Sequence, residues 1–326
     1  MKEPFLMNSG LTKIVEQINR RISEILVSES PELDEMSRYT SIAGGKRLRP
    51  LMAILAYQIS SEYEDIQKIL DLAIAYELIH TASLVHDDII DGASMRRGRP
   101  SLNFKYGIAN AIVVADYLFA VAYGLGSRYG ATISQIMAVA ATKLAEGQIN
   151  ESINLGNLNI TEEKYFEIIS GKTAYFFGAG AKCAAIAANA DPKTIDSMFD
   201  FAYNVGMAFQ ITDDILDLIG SEESMGKPVF TDIKHNAITL PIIYALLSDD
   251  TKMVNHLRLV MNGQRQDKES IDIAKAFILN SGGIDYSVSR AKKFMDNAMA
   301  ALKNTRKTPD LEILLELASS IISRIS

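Results

Sequence analysis

The sequence predicts an all-α protein. Apolar residues recur at helical spacing through most of its 326 residues, and no segment combines the strict alternation and the hairpin turns of a β-sheet. Proline is scarce, with 8 residues in the chain. No linker-like change of composition and no low-complexity segment divides the chain. A single helical domain over residues 1–326 is therefore predicted, although length alone would suggest about two domains.

The predicted helices follow one another along the whole chain. Residues 9–28 carry apolar side chains at helical spacing, with Ser9 as a suitable N-cap. A short helix over residues 31–42 ends before the break formed by Gly44 and Gly45. Further helices are predicted over residues 50–60, 65–91, 109–128, 132–154, 161–190 with a break near Gly171, 193–220, 238–248, 250–262, 267–280, 284–303 and 309–325.

Composition limits the partners and the compartment. The 33 basic and 40 acidic residues give a net charge of -7, which argues against a broad nucleic-acid-binding face. The single cysteine, Cys183, excludes an internal disulfide and is typical of a reducing cytosol. The N-terminal residues lack the apolar core of a signal peptide, and no charge-free apolar run is long enough to span a bilayer. We therefore expect a cytoplasmic protein without stable membrane insertion.

The stretch from Leu72 to Gly98 carries the first candidate site. Its helix is apolar on nearly every side, which is typical of a buried helix, and its C-terminal end carries three carboxylates. Asp87 and Asp91 are four residues apart and project from the same face, where like charges are costly unless a cation lies between them. Two arginines follow directly. Carboxylates that can hold a hard cation, followed by guanidiniums that can bind phosphate, indicate a metal–phosphate site.

The same acid pattern occurs a second time, in the segment FQITDDILD from Phe209 to Asp217. A single cluster of this kind could be an exposed helix end with solvated charges. Two copies, each at the end of an apolar helix, favour a functional pair.

Several basic residues are further candidates. The segment GGKRLRP from Gly44 to Pro50 could be a solvated loop, but its glycines expose backbone amides, and Lys46 and Arg49 are spaced to converge on one anion. His80 lies about two turns before the first acids and is either a hydrogen-bonded core residue or a ligand. Lys172, at the predicted helix break, is either a surface lysine or a site residue.

The polar segment from Ser221 to Asp232 is punctuated by glycine and proline. It is predicted to be a loop that closes over a site and delivers Lys227.

These segments resemble the trans-prenyltransferases, the polyprenyl (isoprenyl) diphosphate synthases, over essentially the full length of the chain. The matching pieces occur in family order: GGKRLRP at 44, HTASLVHDDIIDGASMRRGRPS at 80, EGQ at 146, GKTA at 171, FQITDDILD at 209 and GKPVFTD at 226. The resemblance implies a helical bundle around a deep central cavity, usually as a homodimer. It also implies a Mg²⁺-dependent head-to-tail condensation of isopentenyl diphosphate with an allylic prenyl diphosphate, which releases diphosphate.

The resemblance further implies residue roles. The catalytic acids are Asp87, Asp88, Asp91, Asp213, Asp214 and Asp217. Mg²⁺ ions, about three per active site, would be held by Asp87, Asp91 and Asp213 together with the allylic diphosphate. The same diphosphate would be bound by Arg96, Lys172 and Lys227, and that of isopentenyl diphosphate by Lys46, Arg49, His80 and Arg97. The allylic cation would be stabilised by Thr173 and Gln210.

One segment departs from the family pattern. Where the family often has Gly-Lys-x-Thr, this chain has Asn236, Ala237, Ile238 and Thr239, so the second loop lysine is missing. Lys234 lies nearby and is a candidate substitute.

Product length is expected to depend on the helix before the first acid motif. Family members with short products carry bulky aromatic residues at or beside its first turn, whereas this chain has the small residues Ala82 and Ser83. The resemblance therefore implies a tunnel open past this turn, and Ile79 and Tyr76 lie deeper. Tyr76 as the floor would favour a C20–C25 product, whereas a floor on another helix, for instance near Met137, would favour C30 or longer. The motif resembles the medium- and long-chain synthases, so a product of C25–C40 is expected.

Two alternatives remain open. One is a non-catalytic helical partner subunit of a heteromeric prenyl synthase, which degraded acid motifs would indicate. The other is a terpene cyclase of similar fold, which would have no second diphosphate to bind.

Overall fold

The computed structural model describes residues 9–42, 44–61, 65–220 and 231–325. These residues form helices and one short hairpin, which confirms the predicted all-α class. Along the chain come α1 (Ser9–Ile25), α2 (Pro31–Ser41), α3 (Leu48–Ser60), α4 (Gln67–Ile90), β1 (Met95–Arg96), β2 (Arg99–Pro100), α5 (Leu102–Tyr106), α6 (Ile108–Ser127) and α7 (Ala131–Ile153). There follow α8 (Glu162–Ile169), a π-helical turn (Ser170–Ala174), α9 (Tyr175–Ala187), α10 (Pro192–Ile219), α11 (Thr231–Lys234), α12 (Leu240–Leu246), α13 (Thr251–Met261), α14 (Lys268–Asn280), α15 (Gly283–Ala301), α16 (Pro309–Ile322) and a 3₁₀ turn (Ser323–Ile325).

Most predicted helices are present with similar ends, and several begin at a side-chain cap. Ser30 caps α2, Thr161 caps α8, Asp250 caps α13 and Asp267 caps α14, each accepting a hydrogen bond from a backbone N–H three residues on. The predicted helix over residues 161–190 is instead α8, the π-helical turn and α9. The short helix α5 and the β1–β2 hairpin were not predicted, because such short elements show no periodicity.

The chain divides into two compact units, each assembled from separate segments. Unit 1 contains the described residues within Met1–Ala141, Ala179–Phe199 and Asn304–Leu317. Unit 2 contains those within Thr142–Gly178, Asp200–Lys303 and Ala318–Ser326. The first acid motif therefore belongs to unit 1 and the second to unit 2, while the single domain and the central cavity stay predictions.

Helix α4 lies at the centre of unit 1. It contacts α1, α2, α3, α5 and α6, and every residue from Leu72 to Ile79 is buried. This burial on all sides explains why the α4 sequence is apolar around its whole circumference. The acids at its C-terminal end are thus carried by a helix whose position is fixed by packing.

Unit 2 has its own apolar core. Helix α12 contacts α13, α14 and α15, and residues of α8 and of the second part of α10 belong to the same buried cluster. Ile211 and Ile215 of α10 pack there and are fully buried. The second acid motif, on the same turns of α10, is therefore supported by this core.

Two helices in the described part of the chain are long and apolar enough to cross a membrane, judged by length and composition only: α4 and α6. Buried core helices pass the same test, and 78% of the most apolar window of α4 is buried. In α6 only 33% of the corresponding window is buried, so this helix exposes apolar surface.

Candidate active site

The first acid motif ends α4. The side chain of Asp87 is half-buried and that of Asp91 is exposed, whereas Asp88 is only 3% exposed. Asp88 accepts a hydrogen bond from Arg96 Nε at 2.8 Å and is ion-paired with it. Successive residues of a helix are rotated by about 100°, so Asp88 projects in a different direction from Asp87. The three carboxylates therefore have two different environments.

The arginines after α4 are held by a two-residue hairpin. Arg96 pairs with Arg99 in the antiparallel register of β1 and β2. The connecting residues Arg97 and Gly98 both have positive φ angles, 51° and 74°, as a type I′ turn requires. The tight turn directs the two arginines to different partners, since Arg96 contacts Asp88 while Arg97 donates to the carbonyl of Gly44.

The glycine pair before α3 explains how Arg97 fits against this loop. A Cβ atom on Gly45 would lie 2.9 Å from Arg97 Nη1, and the φ of Gly45 is 131°. Any larger residue at Gly45 would displace the guanidinium and strain the backbone. The structure thus brings Arg97 and the GGKRLRP loop together in unit 1.

Arg49 and His80 meet in the same part of unit 1. Arg49 Nη1 lies 3.0 Å from His80 Nε2. Because a guanidinium only donates, we assign Nε2 as the acceptor and the proton of a neutral imidazole to Nδ1. Burial, reinforced by the charge of Arg49, lowers the pKa of His80 well below its usual value. The sequence-based pairing of His80 with the basic loop therefore has a geometric basis.

Arg47 was given no role by sequence reasoning, and it is the structural arginine of this loop. It is 2% exposed and donates from Nη1 to Glu77 Oε1 at 2.7 Å. Its Nε donates to Asn19 Oδ1 at 2.9 Å, and its Nη2 donates to the carbonyl of Ser41 at 2.7 Å. An acidic residue within the apolar run of α4 was the one available signal for this buried pair.

The backbone of Arg47 is left-handed, with φ 51° and ψ 33°, immediately before α3 begins. Its three side-chain contacts hold this uncommon conformation in place. Lys46 and Arg49 lie before and after Arg47 in the sequence, so the fixed backbone of Arg47 sets their spacing.

The second acid motif lies on α10, and its carboxylates also differ. Asp213 is half-buried, and its Oδ1 accepts a hydrogen bond from Arg324 Nη1 at 3.0 Å. Asp217 is 2% exposed, and its Oδ2 accepts from the backbone N–H of Asp232 at 3.1 Å. The pairing with Arg324 joins the end of the chain to the motif and was not predicted.

Asp214 is held by two side chains. Its Oδ2 accepts from the Tyr165 hydroxyl at 2.6 Å and its Oδ1 accepts from Gln210 Nε2 at 2.9 Å. Burial raises the pKa of Asp214 to about 7, although both hydrogen bonds act in the opposite direction. Burial likewise raises the pKa of Tyr165 well above its usual value, so this hydroxyl keeps its proton.

The π-helical turn brings Thr173 to Gln210. Thr173 Oγ1 donates to Gln210 Oε1 at 2.9 Å, so the two predicted cation-stabilising residues are in direct contact. The neighbouring Lys172 forms an ion pair with Glu151. The structure thus brings Thr173 and the segment of the second acid motif together within unit 2.

Two glycines shape this turn. A Cβ atom on Gly147 would lie 2.2 Å from the Lys172 backbone nitrogen, and one on Gly206 would lie 2.7 Å from Ala174 Cα. The backbones of α7 and α10 thus approach the turn more closely than any side chain would allow. The break predicted near Gly171 is this wide turn, a feature often found at functional sites.

The carboxylates of the two acid motifs are suited to hard divalent cations that are also bound by a substrate. Among the residues that the structure describes, no group of three or more His, Cys, Asp or Glu side chains could hold a metal by itself. Mg²⁺ is usually bound by one or two carboxylates together with substrate phosphates and water. Asp213, whose partner is the cationic Arg324, shows that a positive group is accepted at this carboxylate.

The positions of some predicted site residues are not described by the structure. Lys227 and most of the predicted loop lie outside the described residues, as does the side chain of Lys234. In the segment that departs from the family pattern, the Ala237 N–H donates to the Asp232 carbonyl at 2.8 Å, and Ile238 is buried. These positions therefore have structural contacts of their own.

The candidate chain-length residues lie on buried faces of α4. Ile79 and Ala82 are fully buried and Ser83 is 7% exposed. The hydroxyl of Tyr76, itself 1% exposed, donates to Cys183 Sγ at 3.2 Å. A Cβ atom on Gly180 would lie 3.4 Å from the Tyr76 ring, so this ring is fixed against α9 in unit 1.

Comparison with known proteins gives consistent results. A family model described as polyprenyl synthetase matches residues 30–278. The octaprenyl diphosphate synthase of Escherichia coli (strain K12) is 32% identical over 311 residues, covering 94% of both chains. Component 2 of the heptaprenyl diphosphate synthase of Geobacillus stearothermophilus is 32% identical over 319 residues, covering 98% of this chain and 97% of the relative.

A solved structure extends the comparison to the fold. The polyprenyl synthase from Caulobacter crescentus CB15, in complex with calcium and isoprenyl diphosphate, superposes with a TM-score of 0.90. It is 32% identical, with 97% of each chain covered. The names of further relatives range from geranylgeranyl to decaprenyl diphosphate synthase.

Proposed function

Because the chain belongs to the polyprenyl synthetase family, a family of metal-dependent trans-prenyltransferases, we propose that it is a Mg²⁺-dependent polyprenyl diphosphate synthase. It condenses isopentenyl diphosphate with an allylic prenyl diphosphate head to tail and releases diphosphate. The proposed product has a prenyl chain of C25–C40. The proposed compartment is the cytoplasm.

The burial of the six aspartates carries this proposal. Asp88, Asp214 and Asp217 are each no more than 7% exposed and bonded to protein groups. The other three, Asp87, Asp91 and Asp213, are half-buried or exposed. These are the three that the family resemblance assigns to metal, which supports their role as Mg²⁺ ligands.

The basic residues of unit 1 support a second diphosphate site. Arg49 and His80 contact each other, and Arg97 contacts the glycine pair of the same loop. In our proposal they bind the diphosphate of isopentenyl diphosphate, together with Lys46. A neutral His80 donates one hydrogen bond without adding a charge. This cluster disfavours the terpene cyclase alternative, since a cyclase binds one diphosphate.

The remaining residues act on the allylic substrate. Arg96, Lys172 and Lys227 bind its diphosphate through charge-assisted hydrogen bonds. Mg²⁺ held by Asp87, Asp91 and Asp213 would supply the positive charge that neutralises the departing diphosphate. Thr173 and Gln210 direct the negative ends of their dipoles towards the allylic cation. The double bond of isopentenyl diphosphate then forms the new carbon–carbon bond, and the released diphosphate accepts the proton lost from the product.

Replacement of Asp213 by alanine tests the proposal. We expect Asp213→Ala to reduce the rate of prenyl transfer by at least about a hundredfold, because one carboxylate ligand is removed. Asp249→Ala is the matched control, since Asp249 is exposed and lies outside both motifs. The assay is incorporation of labelled isopentenyl diphosphate by the purified chain. Full activity of the wild-type chain in excess chelator would refute the metal-dependent mechanism.

The same assay distinguishes an active synthase from a non-catalytic partner subunit. The heptaprenyl relative is by name one component of its enzyme. Both acid motifs are complete in this chain, so we expect the purified chain to be active alone. Activity that appears only after addition of a second protein would favour the heteromeric alternative.

Product length is tested by chromatography of the products. Ala82 is fully buried on α4, and phenylalanine there would overfill its surroundings. We expect Ala82→Phe to retain activity but to release mainly a C15 or C20 product. An unchanged product distribution would mean that the growing tail does not run along this part of α4.

A homodimer is proposed from the exposed face of α6. Ile108, Ile112 and Val113 are 58%, 43% and 58% exposed, and Phe104 of α5 is 67% exposed. A contiguous apolar face of this kind is typical of a protein–protein contact. We expect Val113→Glu to shift the molar mass measured by light scattering from dimer to monomer. A wild-type chain that is monomeric at micromolar concentration would contradict the proposed dimer.

A further inference from the structure

We propose that Tyr165 and Asp214 are positioning residues that fix the direction of the hydrogen bonds through Gln210 and Thr173. The inference rests on the proposed function and assigns a role to Tyr165, which the sequence motifs do not include. It also gives Asp214, which the resemblance names only as a catalytic acid, the role of orienting Gln210.

Four side chains form one continuous chain of hydrogen bonds in unit 2. Tyr165 donates to Asp214 Oδ2 at 2.6 Å, and Gln210 Nε2 donates to Asp214 Oδ1 at 2.9 Å. Thr173 Oγ1 in turn lies 2.9 Å from Gln210 Oε1. This series of hydrogen bonds therefore runs from α8, through α10, to the π-helical turn.

The chemistry of the carboxylate sets the direction of every bond. Both oxygens of Asp214 act as acceptors in this geometry, Oδ2 from Tyr165 and Oδ1 from Gln210, so the amide nitrogen of Gln210 faces Asp214. Its carbonyl oxygen then faces Thr173, and this oxygen can only accept. The Thr173 hydroxyl must therefore donate its proton to Gln210, which leaves the oxygen lone pairs of Thr173 for another group.

The direction matters for the proposed reaction. An allylic cation is stabilised by lone pairs and by the negative ends of dipoles, and it is destabilised by N–H and O–H donors. If the Gln210 amide were reversed, its nitrogen would replace the oxygen beside Thr173, and the hydroxyl proton could turn outward. Preorganisation of these dipoles before ionisation is what Asp214 supplies.

Tyr165 keeps Asp214 in place. Tyr165 is 3% exposed and Asp214 is 7% exposed, and Tyr165 belongs to the buried apolar cluster of unit 2. The rigid ring leaves the hydroxyl few alternative positions. Removal of this donor would free one carboxylate oxygen, so that Asp214 could rotate and release the Gln210 amide.

The test uses Tyr165→Phe, which removes one hydroxyl and retains the packing of the ring. Tyr286→Phe is the matched control, because Tyr286 donates to Glu162 Oε2, also at 2.6 Å, in the same unit, and neither residue belongs to the hydrogen-bonded chain. Two readouts are measured: kcat and KM for prenyl transfer, and the affinity for two unreactive ligands. One ligand is an ammonium analogue of the allylic cation. The other is an allylic diphosphate analogue that cannot ionise and carries no positive charge.

We expect Tyr165→Phe to lower kcat about tenfold, with KM for both substrates changed less than about threefold. It should weaken the binding of the ammonium analogue about tenfold and leave the binding of the analogue without a positive charge unaffected. Asp214→Asn should have at least as large an effect on kcat. Because both act through one chain, the double variant should be no worse than the more damaging single variant.

Three results would overturn the inference. Wild-type kcat and wild-type affinity for the ammonium analogue in Tyr165→Phe would remove the positioning role. Equal weakening of both analogues would assign Tyr165 to general structure, as would an equal effect of Tyr286→Phe. A wild-type chain without prenyl transfer would instead refute the proposed function, so the two failures are distinguishable.

Discussion

Replacement of Glu77 alone should destabilise unit 1 more than replacement of both Glu77 and its ion-pair partner Arg47. The ion pair between Arg47 and Glu77 is buried, with side-chain exposures of 1% and 4%. Glu77→Leu would leave the guanidinium buried without a carboxylate, and loss of one partner of such a pair typically costs about 3–5 kcal/mol.

The double variant Arg47→Met/Glu77→Leu removes the unpaired charge. Exchange of a buried ion pair for apolar side chains of similar volume is often close to neutral. Here the exchange also removes the hydrogen bond from Arg47 to the buried Ser41 carbonyl, a loss of about 1–3 kcal/mol. The hydrogen bond to Asn19 Oδ1 is lost as well, but water can replace it because Asn19 is partly exposed. We therefore expect the double variant to be more stable than Glu77→Leu and less stable than the wild type.

The functional effect should persist in the double variant. Without the contacts of Arg47 the loop before α3 can relax from its left-handed conformation, and Lys46 and Arg49 would lose their fixed spacing. We expect KM for isopentenyl diphosphate to rise about tenfold, the loss of roughly one charge-assisted contact, while KM for the allylic substrate is unchanged.

Stability is measured by urea denaturation and KM by initial rates. Arg21→Met is the matched control, since it breaks a partly exposed ion pair with Asp71 in the same unit. It should change stability by about 1 kcal/mol or less and leave both KM values unchanged. A double variant with the wild-type KM for isopentenyl diphosphate would refute the positioning role of Arg47, and one less stable than Glu77→Leu would refute the electrostatic argument.

Three further predictions concern titration, packing and the chain terminus. The pKa of His80 is depressed in the folded state, so below its unfolded pKa of about 6.5 the unfolded chain binds a proton that the folded chain does not. Stability should fall on acidification by up to about 1.4 kcal/mol per pH unit, and urea titrations of wild type and His80→Gln should differ by this slope. Gly206→Ala should cost about 1–3 kcal/mol and lower kcat, because its Cβ meets Ala174 Cα at 2.7 Å, whereas Gly124→Ala, which meets nothing within 4 Å, should be neutral or stabilising in thermal denaturation. Arg324→Gln should tighten Mn²⁺ binding, measured without substrate, by up to about fivefold, since the partly exposed pair with Asp213 is worth about 1 kcal/mol at most; unchanged or weaker binding would contradict competition between Arg324 and the metal.

The helices could be predicted because their periodicity is a local property of the sequence. Helix α4 shows this most clearly, since an apolar helix with acids at one end is visible in a single stretch. The β1–β2 hairpin could not be predicted in the same way, because its strands have two residues each. Its turn depends on Arg97, a non-glycine residue with positive φ, which sequence patterns rarely indicate.

The residue types of the candidate site were also predictable, but their partners were not. The motifs identified Asp214 as an acid of interest, yet its partner Tyr165 is 49 positions away. Arg324 is 111 positions from Asp213. The π-helical turn depends on the close approach of Gly147 and Gly206, which lie on other helices. Such contacts follow from packing in three dimensions and leave no periodic signal.

The two acid motifs use their paired aspartates in the same way. On a helix, the second acid of each pair is rotated by about 100° from the first and so projects in a different direction. Asp88 is buried and bonded to Arg96 of the hairpin, and Asp214 is buried and bonded to Tyr165 of α8. In each unit the second aspartate thus ties the last turns of an apolar helix to a neighbouring element. The first aspartate remains only half-buried on a turn that this tie holds rigid, so in each motif one of the two adjacent acids has a structural role and the other stays partly exposed.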